Sequence, residues 1–106
     1  PTPIAFTATA NTMTAAQMLS GIITVTQTAA TTVTFPLGGT IEAGWGSLIT
    51  NASVDLSIIN LGTSAGAVTI GANSNSYTGS TSIPIGTSAR FRIVRNGTNA
   101  YTIYRI

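Results

Sequence analysis

Apolar residues fall on alternate positions through most of this chain. Ile23 and Val25 alternate with Thr24 and Thr26, and Val33 and Phe35 alternate with Thr32 and Thr34. A period of two in β-branched residues predicts half-buried strands. The short Gln27-Thr28-Ala29-Ala30 connection predicts that these two form a hairpin, ended by Pro36 and Gly38-Gly39. Val54, Leu56 and Ile58 alternate with Ser53, Asp55 and Ser57 in a third strand. Asn60 to Gly66 reads as a turn region, and Val68 and Ile70 as a short strand after it. Residues 71–80 read as a polar loop or weak strand. Pro84, between Ile83 and Ile85, demotes that segment to a sheet edge, because proline cannot donate to a ladder.

Two segments break the alternation. Thr14-Ala15-Ala16-Gln17 fits a capping box, with Thr14 as N-cap and Gln17 three residues on. Met13 and Met18 then occupy the two positions of a hydrophobic staple, and Gly21 suits the stop. A helix over residues 15–20 follows. Ile41, Trp45, Leu48 and Ile49 match one helical stripe within 40–50, and Glu42 near its start would suit the helix dipole. Gly44 and Gly46 weaken that helix by about 1 kcal/mol each relative to alanine. Trp45, the only tryptophan, reads first as a core plug.

The C-terminal segment predicts a hairpin around Asn96-Gly97. A three-residue loop, Arg95-Asn96-Gly97 with a bulge, pairs Phe91 with Tyr101 and Ala89 with Ile103. Arg90 then faces Thr102 and Arg92 faces Ala100. This choice gathers apolar residues on one face, whereas a two-residue loop mixes the faces. Residues 1–11, with two prolines, read as an extended arm or edge strand preceding a single β domain at 12–106. Seven or eight short strands with one or two short helices, and turn signals every eight to about twelve residues, give an all-β fold class: a single-domain β-sandwich or barrel. No internal repeat of solenoid type is visible.

Composition narrows the chemistry. The chain has 106 residues, enough for one domain, and only 6% are charged. Polarity comes from 20 Thr, 10 Ser and 7 Asn. There is no Cys, so no disulfide framework, thiolate site or cysteine nucleophile. There is no His, so no imidazole base and no Ser-His-Asp triad. Glu42 and Asp55 are the only carboxylate side chains, and each reads more readily as a dipole or arginine partner than as half of a glycosidase pair. They cannot close a transition-metal site by themselves. The glycine spacing does not make a phosphate loop. Asn51-Ala52-Ser53 and Asn96-Gly97-Thr98 match the glycosylation sequon, a match that arises easily in so polar a chain. A net charge of +2, with all four arginines in residues 90–105, fits one arginine-bearing strand pair better than a nucleic-acid strip. No apolar run is long enough to span a bilayer, and no signal-peptide pattern opens the sequence. The expectation is a protein with no catalytic residues, cofactor, metal, membrane or small-molecule substrate. With so few charges to keep copies apart, it is expected to pack against its own kind.

Three stretches carry a family likeness. They are Thr14 to Ile23 (TAAQMLSGII), Ile58-Ile59-Asn60 with Ser64-Ala65-Gly66, and Gly86 to Arg92 (GTSARFR) with the ending Tyr101 to Ile106 (YTIYRI). Together they resemble the small capsid decoration, or cement, proteins of tailed bacteriophages, across about residues 12–106. The resemblance implies a β-sandwich or jelly-roll-like subunit, a homotrimer on the outer capsid surface, and the major capsid protein as partner. Such a protein stabilises the coat lattice by binding only its assembled state. On this reading the arm residues Pro1, Thr2, Pro3, Ile4 and Phe6 are the candidates for capsid contact, by strand addition to a coat edge. Arg90 and Arg92, with Asp55 or Glu42, are the candidates for salt links within or between subunits. The alternative is a receptor- or glycan-binding tip module of a phage fibre, with Trp45, Tyr77, Tyr101 and Tyr104 stacking on sugars.

Overall fold

The computed structural model describes residues 3–27, 29–45, 53–62 and 66–106. Along the chain the strands are β1 (Ile4–Phe6), β2 (Ala10–Thr12), β3 (Ile22–Val25), β4 (Thr31–Thr34), β5 (Ser53–Asn60), β6 (Val68–Gly71), β7 (Ser76–Thr78), β8 (Ser82–Ile83), β9 (Ser88–Gly97) and β10 (Ala100–Arg105). Helix α1 (Ala15–Met18) separates β2 from β3, and α2 (Gly38–Trp45) separates β4 from β5. The strands form two sheets, one of six strands in the order β1-β3-β5-β9-β10-β7 and one of four in the order β2-β4-β6-β8. The β-rich single domain expected from the alternation is therefore present, and of the sandwich and barrel alternatives its two sheets fit the sandwich.

The way the chain winds through it was not expected. β3 and β4 do not pair with each other. β3 lies between β1 and β5, parallel to both, and β4 lies between β2 and β6, also parallel to both. The chain coils, laying one strand in each sheet and a helix on the connection, and then repeats. Ile23 stands beside Ile4 and Ile58 beside Ile23, giving an apolar row across the larger sheet that ends on Ala89. The turns of this coil differ in length: neighbours in the row are 19 residues apart at Ile4 and Ile23 but 35 apart at Ile23 and Ile58. Unequal turns hide the repeat from any fixed sequence period. Alternation reports that one face is buried; it is silent on whether the neighbour runs parallel or antiparallel. β3 and β4 lie in different sheets, so the hairpin expectation is corrected; Thr28 of the expected connection lies outside the described residues. A jelly roll is antiparallel, whereas most pairings among the described strands are parallel, so the jelly-roll expectation gives way to a coiled two-sheet arrangement.

Residues 1–11 need the same correction. β1 pairs with β3 and β2 with β4, and Phe6 is buried in the core shared with Ile23, Leu56, Phe91 and Ile103. The edge-strand reading holds from Ile4 onward, and the described part of the supposed arm is a piece of the body.

Local signals at the helices held well. Thr14 Oγ1 accepts from the Gln17 amide at 3.1 Å, and the Thr14 amide donates to Gln17 Oε1 at 2.9 Å, closing the capping box. Met13 and Met18 are both buried. The helix ends at Met18, two residues before the expected limit, and Gly21 turns the chain with φ +81°. α2 starts at Gly38, so Glu42 lies beyond its first turn and does not serve the dipole. Ile41 is buried, whereas Leu48, Ile49 and Gly46 lie outside the described residues. The two helices touch through Gly44, where a Cβ would come within 2.3 Å of the Ala15 Cβ, and through Trp45, whose Nε1 donates to the Ala15 carbonyl at 2.9 Å.

The C-terminal hairpin keeps its expected faces but not its register. β9 continues through Gly97, the turn is Thr98-Asn99 with Asn99 at φ +56°, and Phe91 faces Arg105, four residues beyond Tyr101. Ile103 faces Ile93, and Arg92 faces Tyr104. A bulge is present, but at Asn96, where Ala100 pairs with Gly97 and Tyr101 already with Arg95. A slip of an even number of residues preserves which side chains point inward. Ala89, Phe91, Ile93, Tyr101 and Ile103 are therefore all buried, as the pattern required.

Candidate functional site

Few charges are available, and the fold sorts five of the six into two groups, while Arg105 donates to the carbonyls of Ser80 and Ser82. The first lies on the outward face of the larger sheet. β5 and β9 are antiparallel with Asp55 beside Arg92, and Tyr104 of β10 lies beside Arg92 on the other side. Arg92 grips the carboxylate with two nitrogens, Nε to Oδ1 at 2.8 Å and Nη2 to Oδ2 at 3.0 Å. Arg90 adds Nη2 to Oδ2 at 3.3 Å. The fork geometry of guanidinium suits such a bidentate grip. The Arg92 hydrogen bond is the main reason the Asp55 carboxyl sits below its ordinary 3.8, with attraction from Arg92 and Arg90 added and partial burial opposing. Asp55 correspondingly raises Arg92. All three side chains remain accessible, at 62% for Arg90, 48% for Arg92 and 30% for Asp55.

Apolar groups surround this cluster on the same face. Ile22 of β3 and Arg90 of β9 flank Ser57 from either side, and the Ile106 amide donates to the Arg90 carbonyl at 2.8 Å. Ile22, Tyr104 and Ile106 are all exposed large hydrophobics. Two arginines and a tyrosine among isoleucines form a mixed surface of the composition enriched in protein interfaces.

The second group is enclosed. Glu42 Oε1 accepts from Arg95 Nε at 3.0 Å, from the Asn99 amide at 3.2 Å and from the Tyr101 hydroxyl at 3.2 Å. The Arg95 hydrogen bond leads in holding the Glu42 carboxyl below its ordinary 4.5, burial opposes, and the Asn99 amide contributes next. Burial and the nearby Glu42 push the Tyr101 phenol up. Only 11% of the Arg95 and 18% of the Glu42 side chain is accessible. Glu42 therefore ties α2 to the C-terminal hairpin and has no link to Arg90 or Arg92, which take Asp55 alone.

The other candidates scatter. Pro1 and Thr2 lie outside the described residues, Pro3 is exposed, Ile4 is half-buried and Phe6 is buried. The four aromatic residues proposed for sugar stacking do not share a platform. Tyr101 is buried and meets Trp45 edge-on at 5.6 Å, Tyr77 packs toward Phe91 at 6.4 Å, and only Tyr104 faces outward. Asn51 lies outside the described residues, while Asn96 of the second sequon is exposed at the bulge. Among the described residues, no three His, Cys, Asp or Glu side chains gather where they could hold a metal.

Sequence reasoning missed one polar residue of consequence. Asn60 ends β5 buried at 2% exposure, and its Nδ2 donates to the carbonyls of Ile83 at 3.0 Å and Gly66 at 3.3 Å. Its Oδ1 accepts from the Gly62 amide at 2.9 Å. It joins the end of β5 to β8 and to Gly62 and Gly66. Its inward position in the alternation, two places after Ile58, was the available signal. No family model, curated protein or solved structure matches the chain.

Proposed function

We propose that this chain is a structural virion protein that binds the outer surface of a tailed-phage capsid as a homotrimer and stabilises the coat lattice. The contact surface on this reading is the outward face of the larger sheet, in place of the N-terminal segment, whose Phe6 is committed to the core. The observation that carries the reading is that face itself: Arg90 and Arg92, both already paired with the one Asp55 carboxylate and leaving a single positive charge, set among exposed Ile22, Tyr104 and Ile106. A pre-paired ion cluster needs little reorganisation when a partner covers it, and the surrounding apolar area supplies the driving force. The likeness to decoration proteins in three stretches, and the scarcity of repelling charge, support assembly in many copies. A trimer gains avidity because its second and third contacts become intramolecular.

The test is cosedimentation of the purified protein with undecorated capsids. The wild-type protein is expected to pellet with the shells, and the double variant Arg92→Ala/Tyr104→Ala is expected to stay in solution while remaining folded. Equal pelleting of both would remove this face from the account. Failure of the wild-type protein to pellet would remove the function.

A further inference from the structure

A cleft of about 320 Å³ opens between the start of α2, the turn before β7 and the β9–β10 turn. Its lining is uncharged: Leu37 and Gly39 on one side, Ser74, Asn75 and Ser76 on another, and Asn99 on the third. Its walls are fixed. Asn75 Nδ2 donates to the Pro36 carbonyl at 2.9 Å and to the Ala72 carbonyl at 2.8 Å, joining two segments of the rim. Gly38 abuts the opposite turn so closely that a Cβ would lie 2.1 Å from the Asn99 carbonyl oxygen. Asn99 is anchored from below through its amide to Glu42.

Asn96 Nδ2 and the Tyr101 hydroxyl, which also line this space, are spent on Thr102 Oγ1 and Glu42, but other polar groups there are not consumed by the fold. The side chains of Ser74, Ser76 and Asn99 make no hydrogen bond with the described residues, and Asn75, with both amide hydrogens engaged, keeps its Oδ1 as an acceptor. The rim thus offers a carboxamide, two hydroxyls and a carbonyl oxygen, none ionised, with the Asn75 side chain and the Asn99 backbone held by the fold. Vicinal hydroxyls, which donate and accept at once, match this set, and an ionised ligand finds no counter-charge in the lining. The volume lies at the small end of ligand sites, suited to a sugar ring or two. We propose that this cleft binds a neutral saccharide through hydrogen bonds, at a place separate from the sheet face assigned to the capsid.

An amide-resolved magnetic-resonance titration of the full chain tests this. The probes are methyl glycosides of glucose, galactose and N-acetylglucosamine, with glucuronate as the charged control. At least one glycoside is expected to shift the Asn75 and Asn99 resonances in a saturable way. Asn99→Gly keeps the positive-φ turn, which glycine adopts freely, and is expected to weaken that binding by about five- to tenfold through loss of the carboxamide. Gly39→Leu has room for its Cβ, 3.9 Å from the Asn99 side chain, and is expected to fill the cleft and abolish binding with the melting temperature retained. Silence from all three glycosides, tighter binding of glucuronate, or unchanged affinity in both variants would each overturn the assignment.

Discussion

The two carboxylates of this chain carry the same chemistry into different settings. Glu42 holds Arg95, a backbone amide and a phenol within an enclosed seam between α2 and the β9–β10 hairpin. Asp55 holds Arg92 and Arg90 on an open sheet face. An ion pair closed off from water is costly to break, since the remaining charge stays buried without its partner. An ion pair on the surface contributes little to stability and is screened by salt. The contrast teaches that charge, where scarce, divides its labour: one pair closes a seam between helix and hairpin, and the other cluster stays on an accessible sheet face, the face proposed to meet a partner.

The largest effect expected on this contrast comes from the enclosed seam without touching charge. Gly38→Ala forces a methyl into the Asn99 carbonyl, so the helix and hairpin must separate. Overpacking of this kind costs roughly 1–3 kcal/mol, and chemical denaturation should show a lowered midpoint with an unchanged slope. Glu42→Gln comes next. It leaves Arg95 without its carboxylate and should lower the melting temperature by several degrees. Asp55→Asn should leave it nearly unchanged, and equal losses in the two variants would erase the distinction. The pH dependence follows with a definite sign. Both carboxyls sit below their ordinary values of 4.5 and 3.8, so the stability they lend is complete above those values and fades as pH falls through the lowered ones. Wild-type melting should therefore be flat from neutral pH to about 5 and decline below 4, and Glu42→Gln should flatten more of that decline than Asp55→Asn. The smallest expected effect on stability is that of 1 M salt, which should leave the Glu42 seam intact and loosen only the Asp55 cluster.

The difference in legibility follows the same division between local and distant. Thr14 and Gln17 lie within one turn of helix, so their reciprocal capping could be read directly. Inward and outward faces of β5, β9 and β10 could also be read, because burial imposes a period of two on each strand alone. Asp55 could be named as a partner of Arg90 and Arg92, though not chosen over Glu42, because those strands are among the most regular in the chain. What stayed hidden depends on which strands become neighbours. The parallel stacking of Ile4, Ile23 and Ile58 joins residues through turns of unequal length, and nothing in any one strand announces it. The hairpin register escaped because Thr98-Asn99, rather than Asn96-Gly97, makes the turn, with asparagine in a positive-φ position usually given to glycine. The partners of Glu42 escaped because they belong to the far end of the chain.

The most direct test of the central claim is electron cryomicroscopy of undecorated capsids mixed with the purified protein. The account predicts threefold added density on the outer shell, with the Arg92–Tyr104 face of the larger sheet turned toward the coat. Bare shells at saturating protein, or bound copies with that face turned to solvent, would contradict it.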